Sequence, residues 1–330
     1  VKLITYRSER GARLAALAAD GTALDLCDAA TRHGVPTGAF ASMLDLIRAG
    51  DLALEQTRQW VAQAAPADYL DASALSLCAP LPVPEQIRDF ANYELHVRQA
   101  LQSSMRLRSL AEPDPEAALA RHRASGVFDI PRVWYDRPLY YKCNRFSVVG
   151  PDAVIEWPSF SQRMDYELEL AVVIGKRVKN LSEAEAMDAV FGYTIYNDFS
   201  ARDAQAQETS FRMGPAKGKD FDTGNAIGPC IVTRDEIADP YSLRMQARVN
   251  GELRSDSVSG GMQHDIARCI SFLSQSETLY PGEVLAMGTV GNGCGYESLR
   301  FLDDGDVVEV EVQGIGTMRN QLRKDTRRQK

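Results

Sequence analysis

The chain has 330 residues, 45% hydrophobic and 25% charged, with 45 acidic against 37 basic side chains and a formal net charge of −8. That is an ordinary soluble globular composition, long enough for one large domain or two smaller ones. The acidic balance, without a basic stripe interleaved with aromatics, excludes a nucleic-acid partner. No apolar run approaches about 18 residues and no basic-then-apolar segment opens the chain, which excludes a membrane partner and predicts a cytoplasmic location.

Val1–Tyr6 and Leu14–Leu17 read as strands, and the Asp20-Gly21 turn leads to a third at Ala23–Leu26. Helical periodicity follows at Ser42–Ala49 and Leu54–Ala64. These elements predict a small N-terminal α/β domain over residues 1–78. Ala79-Pro80-Leu81-Pro82-Val83-Pro84 alternates proline, so it cannot be a helix interior and reads as an extended linker. A second domain is expected over 79–330.

Residues 97–137 are rich in Arg, Ala and Glu and carry the turn-like Glu112-Pro113-Asp114-Pro115. They read either as a helical lid over an active site or as a surface helical hairpin. Beyond residue 145, short strands recur at Phe146–Val149, Leu168–Ile174, Val190–Ile195, Cys230–Thr233, Met245–Val249, Val284–Met287 and Val307–Val312. Helices are few, at Glu183–Val190 and Asp265–Ser274, and Asn250-Gly251 marks a hairpin. The fold class expected is mostly β with α/β elements, built on a curled, largely antiparallel sheet.

Polar residues gather at five places where a core-forming pattern would not put them. In Asp165–Ile174, Glu167 and Glu169 point to one face of a strand with Asp165 behind them, either on a solvated face or around a divalent cation. Asp198 ends a strand, where it is either an N-cap or faces the mouth of the sheet, and Arg202 follows one turn later if a helix begins there. Lys219 lies in a polar loop, as a solvated charge or an anion-binding group. A stretch with Gly288, Gly291, Gly293 and Gly295 reads as a loop that lets backbone approach a ligand. His96, one of four histidines, stands between the linker and the lid and is structural or catalytic. The six cysteines form no CxxC or Cys/His cluster in sequence, which argues against a zinc or disulfide framework; Cys294 is a possible nucleophile without a nearby histidine in the chain.

Taken together, the Glu-x-Glu strand, the run Asn197-Asp198-Phe199-Ser200-Ala201-Arg202-Asp203, Gly218-Lys219, the Gly288–Gly293 stretch and Gly314–Asn320 resemble the fumarylacetoacetate hydrolase superfamily over residues 79–322. The resemblance implies a mixed β-sandwich roll, usually in a homodimer, around Mg²⁺, Mn²⁺ or Ca²⁺. It implies Glu167, Glu169 and Asp198 as metal ligands, with Asp89 a fourth ligand or water-mediated neighbour because it stands seven residues before His96. Lys219, Arg202 and Gln205 match positions that stabilise charge and orient substrate. Tyr141 and Thr289 match substrate-contacting positions, Thr289 toward a carboxylate.

The activity implied is hydrolysis of a C–C bond in a 1,3-diketo acid, a small carboxylic acid resembling fumarylacetoacetate or an acylpyruvate, with His96 as general base on water. The alternative is a lyase or isomerase on the same scaffold: a 2-oxo acid decarboxylase, a sugar-acid dehydratase or a hydroxymuconate-type isomerase. One branch of the family pairs the histidine with a glutamate three residues later, where this chain has Gln99. Glu297 is the carboxylate expected to replace it, with Glu94 the other choice.

Overall fold

The computed structural model describes residues 1–211 and 213–324. Its main sheet has twelve strands, and the path through its centre runs Lys2–Ser8, Asn225–Thr233, Val190–Asp198, Glu167–Ile174, Val284–Cys294, Ile87–Phe90, Tyr140–Cys143. A second sheet orders Glu252–Val258, Arg244–Val249, Val307–Val312, Gly316–Lys324 and Val154–Trp157. The fold is mostly β with α/β elements.

Glu167–Ile174 lies at the middle of the large sheet, hydrogen-bonded on both edges, and all eight of its residues are buried. A strand covered on both faces needs a continuous apolar run, which Leu170–Ile174 supplies. Val172 and Ile174 face one core cluster and Ala171 and Val173 the other. Each fully buried branched side chain there is worth about 1.5–3 kcal/mol. The solvated-face reading of this strand does not hold.

The first strand, Lys2–Ser8, pairs antiparallel with Asn225–Thr233, so the N-terminal strands extend the same sheet that carries Glu167. Beside them, helices Met43–Ala49 and Asp51–Gln63 follow the sequence pattern closely. The Ser42 hydroxyl caps the first by accepting from the Asp45 N–H at 3.2 Å. The proline-rich segment is tied to the first strand, since Pro80 O accepts from Thr5 Oγ1 at 2.8 Å. Asn250 and Gly251 both take positive φ, 53° and 80°, which is the twist a two-residue hairpin requires.

Three expectations change. The Gly288–Gly293 stretch is not a loop: Val284–Cys294 is one strand of 11 residues, irregular in its pairing with Glu167–Ala171. Asp198 caps no helix, because Ser200–Ala201 stays extended against Met164–Asp165 and the helix begins at Arg202. The segment after the linker is helical, as Glu94–Leu110, Pro115–Ser125 and Arg132–Asp136, but it starts early enough to carry His96 in its first turn.

Candidate active site

Four strands bring the acidic residues together. Glu167 and Glu169 sit opposite Cys294 and Thr289 on Val284–Cys294, Asp198 closes the neighbouring strand, and Asp89 arrives on Ile87–Phe90 with Tyr141 as its cross-strand partner. Ligand oxygens of Asp89, Glu167 and Glu169 all lie within 4.8 Å of one another. Gly288 permits this convergence. Its φ is +94°, and a Cβ there would stand 2.3 Å from Phe90 O. With no side chain, its N–H donates to Glu169 Oε2 at 3.1 Å. Thr289 Oγ1 donates to the other oxygen, Glu169 Oε1, at 3.0 Å.

Two buried cations answer this charge. Lys219 Nζ donates to Glu167 Oε2 and Asp198 Oδ2, both at 2.5 Å. The Arg202 guanidinium lies 2.8 Å from Glu167 Oε1 and 2.6 Å from Asp165 Oδ2, and its Nη1 donates to Gln205 Oε1 at 3.0 Å. Asp165, which the sequence placed only behind Glu167 and Glu169, has a definite part here. It holds Arg202 and also accepts from the Gly295 and Tyr296 N–H groups, each at 2.8 Å. Its position two residues before Glu167 was the available signal.

Four carboxylates, Asp89, Glu167, Glu169 and Asp198, therefore share a buried space with two cations, and Asp165 adds a fifth anion beside Arg202. Burial first, then Asp198 beside it, pushes the Asp89 carboxyl well above the ordinary range; burial and Asp89 do the same to Glu169. Asp198 is also raised, mainly by burial. Glu167 goes the other way, because Arg202, Lys219 and His96 outweigh its burial. The Tyr141 hydroxyl lies 2.6 Å from Asp89 Oδ2 and 2.5 Å from Asp198 Oδ2. It has one hydrogen to donate, so without a cation a carboxyl proton must complete one contact.

The chemistry of this donor set suits a divalent cation. Asp89 Oδ1 and Asp198 Oδ1 are buried and have no partner. Unpartnered carboxylate oxygens in a buried, net-negative space are costly unless an ion takes them. All the donors are oxygen, as hard cations require. Asp89, Glu167 and Glu169 form the converging set. Asp198 joins it through Tyr141 and Lys219 with its bare Oδ1.

Next to this cluster, His96 Nδ1 meets Glu297 Oε1 at 3.0 Å. Glu297 is held by two backbone donors, Asn292 N–H to Oε1 at 3.1 Å and Cys294 N–H to Oε2 at 3.0 Å. The expected carboxylate partner is thus in place although 201 residues separate it from His96. Glu94, the other choice, bonds instead to Arg98 and accepts from the Tyr135 hydroxyl at 3.1 Å. Gln99 Nε2 donates to Asn292 Oδ1 at 2.7 Å, which steadies the end of the strand that holds Glu297.

Cys294 needs correcting too. A histidine does lie beside it, with His96 Nδ1 3.9 Å from Sγ, a proximity hidden by their separation in sequence. The thiol is buried, and burial followed by Asp165 raises its pKa well above the usual value, which disfavours a nucleophilic thiolate.

His96, Glu167, Arg202, Gln205 and Tyr296 open onto a cavity of about 660 Å³, roofed by Ala100, Ser104 and Leu107 of the Glu94–Leu110 helix. That helix is docked on the active-site strand and not free on the surface: Ser104 Oγ lies 2.9 Å from the Tyr296 hydroxyl, and Ser103 Oγ donates to Glu297 O at 3.2 Å. Lys219, Tyr141 and Thr289 are placed deeper, around the carboxylates.

A family model described as fumarylacetoacetate (FAA) hydrolase, C-terminal, matches residues 86–323. Among relatives, an oxaloacetate tautomerase of Xenopus laevis is 41% identical over 56% of this chain and 57% of its own. The oxaloacetate tautomerase YisK of Bacillus subtilis is 38% identical over 59% of this chain and 62% of its own. Both matches span less than two thirds of the relative. A solved fumarylacetoacetate hydrolase from Exiguobacterium antarcticum superposes with a TM-score of 0.72 at 28% identity, covering 98% of this chain and 99% of that one. With the carboxylate cluster and the His96–Glu297 pair already in place, these matches show that the chain belongs to the fumarylacetoacetate hydrolase family.

Proposed function

We propose that this protein is a Mg²⁺-dependent hydrolase of 1,3-diketo acids, with His96 as the general base. The observation that carries the reading is the His96–Glu297 pair, whose imidazole lines the cavity beside Glu167 while Glu297 stands behind it. Asp89, Glu167, Glu169 and Asp198 would hold the cation, which when bound supplies Lewis-acid polarisation of a substrate oxygen.

The remaining chemistry belongs to the chain's own residues. With Nδ1–H donated to Glu297, the lone pair of His96 lies on Nε2, the atom that accepts a proton from water. Glu297 fixes that tautomer and steadies the imidazolium that forms. The hydroxide so made adds to a carbonyl carbon, and collapse breaks the C–C bond toward the oxo-acid half. His96 returns its proton to the departing carbanion. Arg202 and Gln205 face the cavity and orient the acid through the guanidinium edge and the amide. Lys219 draws both Glu167 and Asp198 toward their ionised forms.

A second reading, tautomerisation of a 2-oxo acid, is favoured by the two relatives named for that activity. It uses the same proton carrier without a water nucleophile. Incubation with Mg²⁺ and an acylpyruvate, and separately with the enol of oxaloacetate, decides between them. Pyruvate and a second acid released in equal amounts support hydrolysis. Enol loss without C–C cleavage on either substrate overturns it in favour of tautomerisation. Turnover of both kinds should stop in EDTA. The homodimer expected from the resemblance stays part of the proposal, with light scattering as its check.

A further inference from the structure

The carboxylate cluster is not the one group here with metal-ligand spacing. His96, Cys294 and Glu297 offer one nitrogen, one sulfur and one oxygen donor, all within 4.8 Å of one another. Nδ1 is 3.9 Å from Sγ and 3.0 Å from Oε1. Bonds of about 2.3 Å to sulfur and 2.0–2.1 Å to nitrogen and oxygen at tetrahedral angles place N and S about 3.6 Å apart and N and O about 3.3 Å apart. The observed spacings are within a few tenths of an ångström of both. Two of the three donors are already positioned, since the Asn292 and Cys294 N–H groups hold the Glu297 carboxylate and the strand fixes Cys294. The cavity reaches His96 and gives an ion a way in.

We propose that these three side chains form a second, thiophilic metal site, selective for Zn²⁺-like ions, whose occupancy switches the enzyme off. A mixed N, S, O set suits a borderline-soft ion, whereas Asp89, Glu167 and Glu169 offer only the hard oxygens preferred by Mg²⁺. On binding, the ion takes the Nδ1 position held by the proton shared with Glu297. The thiol proton leaves to solvent and the imidazole proton moves to Nε2. His96 then has no lone pair facing the cavity and cannot accept a proton. Three protein donors leave a fourth position for water. The inhibition, though not the site, rests on His96 being the base proposed above.

The test uses Co²⁺ and Zn²⁺ with the intact protein saturated in Mg²⁺. Co²⁺ should give a near-ultraviolet thiolate-to-metal charge-transfer band that is lost in Cys294→Ser and in Cys294→Ala, because the carboxylate site contains no sulfur. Zn²⁺ should inhibit turnover, and Cys294→Ser should raise the half-inhibitory concentration at least about tenfold, with each protein's inhibition measured against its own Mg²⁺-dependent rate without Zn²⁺. Absence of the band in the wild type, or its persistence in both variants, overturns the site whatever the enzyme's substrate. Equal Zn²⁺ sensitivity of the wild type and Cys294→Ser overturns the switch. A clear band in a protein that turns over neither acylpyruvate nor oxaloacetate would sink the functional reading and leave the metal site standing.

Discussion

His96 depends on Glu297 for its tautomer, and Glu297 depends on two backbone donors for its place. Removing the imidazole should therefore remove proton transfer while leaving the carboxylates intact. His96→Ala is expected to lower turnover by about 10²–10⁴-fold, with Mg²⁺ affinity by calorimetry unchanged. Loss of both together would mean that His96 supports the cation site instead. Glu297→Gln keeps the shape and removes the charge that stabilises the imidazolium. It should lower kcat strongly with KM within about twofold, since Glu297 does not reach the cavity. A change confined to KM would count against the pairing.

At the scale of one element, the strand Val284–Cys294 does most to assemble the site. It positions Glu169 through Gly288 and Thr289, Glu297 through Cys294, and the Glu94–Leu110 helix through Gly291, where a Cβ would stand 2.6 Å from Leu95 Cδ2. Gly288→Ala would combine a positive φ with a backbone clash against Phe90 O. It should cost at least about 1–3 kcal/mol of stability in a urea titration and weaken Mg²⁺ binding as Glu169 shifts. A neutral effect on both would show that the strand has slack near Phe90.

For the whole molecule, the buried charge imbalance links stability to pH and to metal. Asp89, Glu169 and Asp198 have raised pKa values in the fold, so each favours folding while protonated. Their contribution is complete below about pH 4, the ordinary carboxylate value, and is lost as pH rises through the elevated folded values. Glu167 has the opposite sign: its contribution holds above the ordinary value and is lost only as pH falls toward its depressed one. In EDTA, the Tm contribution of this cluster should thus decline from pH 5 to 8. Mg²⁺ replaces the missing protons, so the Tm difference between Mg²⁺ and EDTA should widen over that range. A difference that is flat or shrinks with pH would remove the carboxylate cluster as the cation site.

Much of this was readable along the chain, because local patterns carry it. The buried strand showed in its β-branched run, helix Met43–Ala49 in its period, and the hairpin in Asn250-Gly251. The ordered motifs from Glu167 to Asn320 already named the family and the acidic residues. What remained hidden is pairing across long separations. Nothing in the sequence places Cys294 against His96 or sends Asp165 to Arg202, and the preference for Glu297 over Glu94 came from the resemblance and not from any local pattern. Nor does a glycine-rich run declare that it will be strand, as Gly288 is, with Phe90 O close to where a Cβ would stand and its N–H bonded to Glu169. Side-chain type and periodicity are properties of neighbours in sequence, so the sequence by itself determined the elements and the chemical character of the site. Donor geometry depends on sheet order and register, and these the tertiary structure alone decided.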